Sequence, residues 1–148
     1  MSDLRELYQE LILDHGKHPR NFRIPEGCNC RADGYNPLCG DKISVFLCCD
    51  EDAVRDAGIQ GAGCAICMAS ASTMTEVIKG RGRQEIAQLC ASFTGWIVSG
   101  RTPKVDSLPR KLTVFEGVRE FPMRVKCATL AWHTLKAALD GERQATSE

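Results

Sequence analysis

The chain has 148 residues, a length typical of one domain that can bury a sizeable hydrophobic core. Its 43% hydrophobic and 26% charged residues are ordinary globular values and exclude wholesale disorder. The 19 Lys and Arg residues balance the 19 Asp and Glu residues, so the basic excess typical of nucleic-acid binding is absent. No apolar run approaches the roughly 18 residues of a membrane span, and the N-terminus lacks the apolar segment of a secretory signal. We therefore expect a single cytoplasmic domain over residues 1–148 that binds neither nucleic acid nor membrane.

Nine cysteines are the unusual feature of the composition. An odd number of cysteines without a secretory signal favours reduced thiols over a framework of disulfides. A domain of this size does not need crosslinks for stability. The thiols are therefore candidates for metal or sulfur chemistry, and their positions must decide which.

An amphipathic helix is predicted at the start of the chain. Ser2 can cap it, and an apolar stripe follows at helical spacing, formed by Leu4, Leu7, Tyr8, Leu11 and Ile12. Gly16 and Pro19 end this helix. His15 and His18 are spaced like a pair of metal ligands on a helix, but Pro19 disfavours helical geometry at His18. We interpret both histidines as surface residues.

Three strands are predicted next. Residues 41–49 alternate between apolar and polar side chains, which is typical of a strand. A polar turn at 50–52 and a second strand at 54–61 complete a hairpin. Residues 31–35 supply a third, weaker strand.

The hairpin register predicts where the chemistry lies. Folding the two strands about Glu51 places Asp41 opposite Gly61, at the open end of the hairpin. Because opposed residues of an antiparallel pair lie about 5 Å apart, Cys39, Asp41 and Cys64 converge at this end.

Further helices are predicted over residues 64–79, 85–99 and 122–139, where apolar side chains recur at helical spacing. Residues 104–117 are expected to form a loop with a short helix, and the polar tail after Gly141 is expected to fray. The predicted fold class is α+β, a small antiparallel three-stranded sheet packed against several helices. The N-terminal helix and the C-terminal tail are placed at the periphery.

The convergence of Cys39, Asp41 and Cys64 predicts a metal site. Cys39 lies in a turn with Pro37 and Gly40, where its thiol is accessible. Cys64 begins a predicted helix, whose partial positive charge favours the thiolate. Two sulfurs and one carboxylate oxygen suit tetrahedral Zn²⁺, and the spacing alone leaves the remaining ligand open.

Three cysteine motifs, in this order, resemble those of the IscU/NifU iron–sulfur cluster assembly family: NPLCGD at 36–41, GCAICMASAS at 63–72 and FPMRVKCA at 121–128. The segment HPRN at 18–21 resembles the N-terminal signature of that family, and the similarity spans residues 4–139. Within the family the chain resembles the SufU type. Lys126 stands where the IscU branch carries His, and residues 101–120 match the extra sequence of SufU-type proteins.

The resemblance implies both a site and an activity. It implies an IscU-like fold and a Zn²⁺ ion bound by Cys39, Asp41, Cys64 and Cys127. Arg124 and Lys126 would compensate the negative charge of the ligands. It also implies a zinc-dependent sulfurtransferase in which Cys39 accepts persulfide sulfur from a pyridoxal-phosphate-dependent, SufS-like cysteine desulfurase. The recipients would be a downstream Fe–S scaffold or apoproteins.

Two alternative functions stay open. A scaffold that assembles and transfers an Fe–S cluster would use the same three thiolates with Asp41. A dithiol oxidoreductase would use Cys64 and Cys67, although the βαβ context typical of redox Cys-x-x-Cys motifs is not predicted here.

The other cysteines have plainer interpretations, because free cysteine is among the most buried residue types. Cys48, Cys49 and Cys90 are interpreted as core residues. Cys28 and Cys30 are interpreted as loop residues, either surface thiols or simply small side chains. Like Cys67, they have no assigned role.

Overall fold

The structure is a computed structural model that describes residues 2–99 and 108–146. Its elements, in chain order, are α1 (Ser2–Lys17), β1 (Cys30–Asn36), β2 (Asp41–Cys49), β3 (Val54–Ala62), α2 (Ala65–Ile78), α3 (Arg83–Ser99), a 3-10 helix (Arg110–Glu120), α4 (Pro122–Leu139) and β4 (Gln144–Thr146). The fold class is α+β, as predicted. None of the described helices is long and apolar enough to cross a membrane.

The sheet has four strands in the order β3-β2-β1-β4, not the three predicted. β1, β2 and β3 are antiparallel, whereas β4 runs parallel to β1. The expectation that the polar tail frays was therefore wrong for residues 144–146. The Asp33 N–H donates to the Arg143 carbonyl at 2.8 Å, which aligns the tail with the edge of β1. Pairing of this kind satisfies backbone groups that an edge strand otherwise exposes.

The hairpin register differs by two residues from the prediction, because Ile43 and not Asp41 pairs with Gly61. The Asp50 carboxylate accepts two backbone N–H groups within the turn, and the β2–β3 register shifts near the end of β2. The turn is therefore not symmetric about a single residue. The change places Asp41 just beyond the end of β3, closer along the chain to Cys64, so the predicted convergence survives.

The helical predictions hold closely. α4 has the predicted bounds, α2 differs by one residue at each end with Cys64 as its N-cap, and α3 begins two residues earlier than expected. The predicted loop after α3 contains a 3-10 helix over Arg110–Glu120. Residues 100–107, which include part of the extra SufU-type sequence, lie outside the described residues.

The core lies between the sheet and the helices. The inward side chains of β2 join those of α2, α3 and α4 in one hydrophobic cluster, whose largest fully buried members include Trp132, Phe93, Phe115, Ile43 and Leu47. The Trp132 ring stacks on Phe93 with 4.8 Å between ring centroids. Its indole N–H donates to the Ser70 hydroxyl at 3.1 Å, which ties α4 to α2.

The end of α1 is held against α2 by polar contacts. His15 Nδ1 lies 2.7 Å from the Ser72 hydroxyl, and the Arg20 N–H donates to the same oxygen. His15 is half-buried, unlike the predicted surface residue, whereas His18 is exposed. His15 therefore serves the junction of α1 with α2.

Gly34 in β1 allows α4 to lie close to the sheet. A Cβ atom at this position would be 2.0 Å from the Thr134 hydroxyl oxygen and 3.2 Å from the Leu130 side chain. We expect Gly34→Ala to lower the free energy of unfolding by about 1–3 kcal/mol, the usual cost of overpacking. Urea denaturation measures this change. Gly117→Ala is the control, because an added methyl there meets no atom within 4 Å. Equal urea midpoints for the two variants would contradict the argument.

Candidate metal centre

Cys39, Asp41 and Cys127 lie together at one end of the sheet. Their ligand atoms are all within 4.8 Å of one another, and they are the one such group found among residues 2–99 and 108–146. The Cys39 and Cys127 sulfurs are 3.7 Å apart although 88 positions separate these residues in sequence. Asp41 and Cys127 are buried, with 2% and 3% of their surface exposed, whereas Cys39 is exposed. The group therefore combines two buried ligands, Asp41 and Cys127, with the accessible thiol of Cys39.

Cys64 borders this group as the N-cap of α2. Its backbone N–H donates to Asp41 Oδ1 at 3.0 Å, and its sulfur lies 4.0 Å from Asp41 Oδ2. The Cys64 sulfur also accepts the Cys67 backbone N–H at 3.4 Å. A sulfur at this position receives both an N–H group and the positive end of the helix dipole, and both favour the thiolate. The predicted position of Cys64 at a helix start is confirmed.

Asn36 is a fully buried neighbour of the site that the sequence did not single out beyond its motif. Its amide Nδ2 lies 3.9 Å from the Cys127 sulfur, and its Oδ1 accepts the Leu38 N–H at 3.2 Å. One side chain thus orients both the buried sulfur and the turn that carries Cys39. The available signal was the Asn-Pro pair, since Asn commonly opens turns by accepting the N–H two residues on.

Electrostatics explain why this group suits a cation. Burial raises the pKa of the Cys127 thiol well above its usual range, and contacts with Asp41 and the neighbouring thiols raise it further. Without a cation, Cys127 therefore remains a neutral thiol near neutral pH. Three sulfurs and one carboxylate oxygen are a donor set that fits Zn²⁺. Cysteine thiolates are also the usual ligands of iron–sulfur clusters.

The predicted charge partners lie on α4. Arg124 is exposed, and its guanidinium carbon lies 4.9 Å above the centre of the Phe121 ring. Lys126 is half-buried, and its carbonyl accepts the Thr129 hydroxyl. These contacts do not involve the thiols, so charge compensation by Arg124 and Lys126 stays a prediction.

Cys67 points into the core and is fully buried. Burial raises the pKa of its thiol far above the usual range, with the charge of Asp41 adding to the shift. A thiol held neutral and away from solvent is a poor partner for dithiol exchange. The structure therefore disfavours the alternative in which Cys64 and Cys67 form a redox dithiol. The contribution of Cys67 to the site is its backbone N–H, which donates to the Cys64 sulfur.

Gly63 leaves room for the Asp41 carboxylate. A Cβ atom on Gly63 would be 2.8 Å from Asp41 Oδ1 and 3.1 Å from its carboxyl carbon. We expect Gly63→Ala to displace this carboxylate and to weaken Zn²⁺ binding by about 10–100-fold, as changes beside metal ligands commonly do. Competition with a chromophoric chelator measures the affinity. The Gly117→Ala protein should bind as the unchanged chain does, and a Gly63→Ala protein with undiminished affinity would refute the predicted role.

Comparison with known proteins places this chain in a family. Residues 7–92 match the NifU-like N terminal domain. The chain belongs to this family. It is 36% identical over 141 residues to the zinc-dependent sulfurtransferase SufU of Bacillus subtilis (strain 168), covering 95% of each chain. It is 35% identical over 139 residues to the iron–sulfur cluster assembly scaffold protein IscU of Streptococcus pyogenes serotype M1, covering 94% of this chain and 86% of the relative.

A solved structure has the same fold. The SufU protein of Fervidobacterium islandicum AW-1, described as an iron–sulfur cluster assembly scaffold protein for the SUF system, superposes with a TM-score of 0.82 at 32% identity. The match covers 88% of this chain and 94% of that one. The family resemblance drawn from the three cysteine motifs and the predicted IscU-like fold are therefore confirmed.

Proposed function

We propose that this protein is a zinc-dependent sulfurtransferase in which Cys39 accepts sulfur from a pyridoxal-phosphate-dependent cysteine desulfurase. The observation that carries the proposal is the exposed Cys39 sulfur, 3.7 Å from the buried sulfur of Cys127 and grouped with the buried carboxylate of Asp41. The similarity to a SufU protein named a zinc-dependent sulfurtransferase supports it.

The residues that would hold zinc are Cys39, Asp41, Cys64 and Cys127. Bound Zn²⁺ would keep the thiols deprotonated and protect them from oxidation until the partner docks. Asp41 contributes further as a buried acceptor that fixes the Cys64 N–H, and so positions the start of α2.

Cys39 is a better acceptor than the other two thiols for structural reasons. Cys127 is buried, and a partner's persulfide cannot reach it without rearrangement. Cys64 is exposed, but its sulfur caps α2 and accepts the Cys67 N–H. Cys39 lies in a turn, next to Gly40 at φ +75°, and its described sulfur contact is with Cys127. Its displacement therefore disturbs the fewest contacts.

The transfer step is an ordinary thiolate exchange at sulfur. The Cys39 thiolate attacks the terminal sulfur of the desulfurase persulfide and forms a new S–S bond. The bond between that sulfur and the desulfurase cysteine breaks, and this cysteine leaves as a thiolate. No net oxidation occurs, and removal of sulfur from free cysteine belongs to the partner's cofactor. Downstream Fe–S scaffolds or apoproteins would then receive the sulfur.

Desulfurase turnover tests the proposal directly. We expect alanine production by a SufS-like desulfurase to rise when the zinc-loaded protein is added, and the added protein to gain one sulfur atom in its mass spectrum. Chelator-treated protein, confirmed to be folded by circular dichroism, is the control for the metal. A desulfurase rate that does not change with the zinc-loaded protein would overturn the proposal.

Assembly of an Fe–S cluster is the second candidate, because the same three thiolates and Asp41 could hold one and because a similar IscU protein is named a scaffold. In this case the cluster is the cargo. Anaerobic incubation with iron and sulfide would give a brown chromophore that Cys127→Ser lacks. Protein that stays colourless and retains zinc would favour the sulfurtransferase.

A further inference from the structure

Four cysteines outside the metal centre form a second thiol group at the opposite end of the sheet. Cys30 begins β1, Cys28 lies two residues before it, and Cys48 and Cys49 end β2. β2 begins at Asp41 in the metal centre and spans about 26 Å to Cys49 at roughly 3.3 Å per residue. The second group is therefore too distant to share ligands with the metal centre.

Within this group, Cys30 and Cys49 are neighbours on the core-facing side of the sheet. Cys30 pairs with Leu47, which lies two residues before Cys49, so both thiols are on one face. Both are half-buried and pack against the hydrophobic core. Burial raises the pKa of the Cys49 thiol to about 12, and its interaction with the Cys30 thiol adds to the shift.

The backbone at Cys49 is not locked into a regular ladder on either side. Toward β1, its carbonyl and N–H bond the side-chain amide of Asn29, at 2.7 and 2.8 Å. Toward β3, the register shifts between Cys48 and Cys49. A bond between the Cys30 and Cys49 sulfurs would therefore not have to break a backbone hydrogen bond between β1 and β2 at Cys49.

A groove gives small molecules access to Cys30, the thiol of the pair that would react first. Its volume is about 390 Å³, and its lining includes Cys28, Cys30, Arg31 and Arg143. Arg31 also lies 3.4 Å from the Asp33 carboxylate, so Arg143 is the cation most available to a ligand. A thiol beside guanidinium groups suits a small disulfide that carries carboxylates.

We propose that Cys30 and Cys49 are a dithiol oxidised to an intramolecular disulfide by low-molecular-weight disulfides that bear carboxylates. The Cys30 thiolate attacks one sulfur of the small disulfide, forming a mixed disulfide and releasing one thiolate. The Cys49 thiolate then attacks the Cys30 sulfur, and the second small thiolate leaves. The two protons of the protein thiols end on the released thiolates, so the protein loses two hydrogen atoms while one small disulfide becomes two thiols.

The test exposes the zinc-loaded protein to oxidised glutathione and maps its peptides without reduction. We expect a peptide crosslinked between Cys30 and Cys49, loss of two of the nine thiols, and retained zinc. Cys49→Ser should instead accumulate the mixed disulfide at Cys30. Cys28→Ser and Cys48→Ser are matched controls from the same thiol group and should form the crosslink normally.

The charge of the groove supplies a second readout. Arg143→Gln should slow oxidation by anionic oxidised glutathione by about threefold to tenfold, and should not slow oxidation by cationic cystamine. A crosslink between Cys28 and Cys48, nine intact thiols, or loss of zinc before any crosslink would each overturn the proposal. If a cysteine variant fails to fold, peptide mapping of the unchanged chain still shows whether the crosslink joins Cys30 to Cys49.

Discussion

Cys39→Ala is expected to reduce sulfur transfer from the desulfurase by at least about a thousandfold, as removal of a catalytic nucleophile does in enzymes. The variant lacks the one thiol that is both exposed and free of a role in capping a helix. It should also show no added sulfur by mass spectrometry after incubation with desulfurase and cysteine. Single-turnover transfer, measured by rapid quenching, separates this loss from weaker docking of the partner.

Cys67→Ala is the matched control, because it removes a thiol of the neighbouring motif by the same chemical change. Its side chain is buried, whereas its backbone N–H to Cys64 survives the substitution. Transfer should remain within about threefold of the unchanged chain, the order expected for a residue outside the reacting group. Lost transfer in Cys67→Ala with normal transfer in Cys39→Ala would restore the dithiol alternative.

Periodicity predicted most of the secondary structure because local side-chain patterns decide it. The alternation of β2 and the helical spacing of α4 gave their bounds to the residue. Gly80, at φ +80° just after α2, has the left-handed backbone with which glycine commonly ends a helix. The three cysteine motifs predicted which side chains assemble, since the family resemblance carries tertiary information that periodicity lacks.

Long-range pairing is where prediction from the sequence failed. β4 has only three residues and no alternating pattern that would predict it. It forms because the chain after α4 places Arg143 beside β1, where the Arg143 carbonyl accepts the Asp33 N–H. The hairpin register depended on how Asp50 closes the turn. The contact of Asn36 with Cys127 and the placement of Cys30 near Cys49 likewise depend on which elements become neighbours, and no local pattern encodes that.

Trp132→Ala is expected to lower the free energy of unfolding by about 3–5 kcal/mol, the usual cost of removing a fully buried aromatic side chain. The substitution removes the ring stacked on Phe93 and the indole N–H that the Ser70 hydroxyl accepts. The Ser70 hydroxyl still donates a hydrogen bond to the Ala128 carbonyl, so it keeps one partner after the substitution. Urea denaturation monitored by far-UV circular dichroism measures the loss.

The same substitution should also weaken metal binding, because Trp132 in α4 links the helix that carries Cys127 to α2, the helix that Cys64 caps. We expect Zn²⁺ affinity of the Trp132→Ala protein to fall by about tenfold at temperatures where it remains folded, as looser support of ligands commonly causes. Trp96→Ala is the matched control. Trp96 is half-buried on α3, and its ring lies 6.1 Å from Phe93, so its removal should cost less stability and leave zinc affinity unchanged. A larger loss of zinc affinity in Trp96→Ala than in Trp132→Ala would show that the α2–α4 contact does not position the ligands.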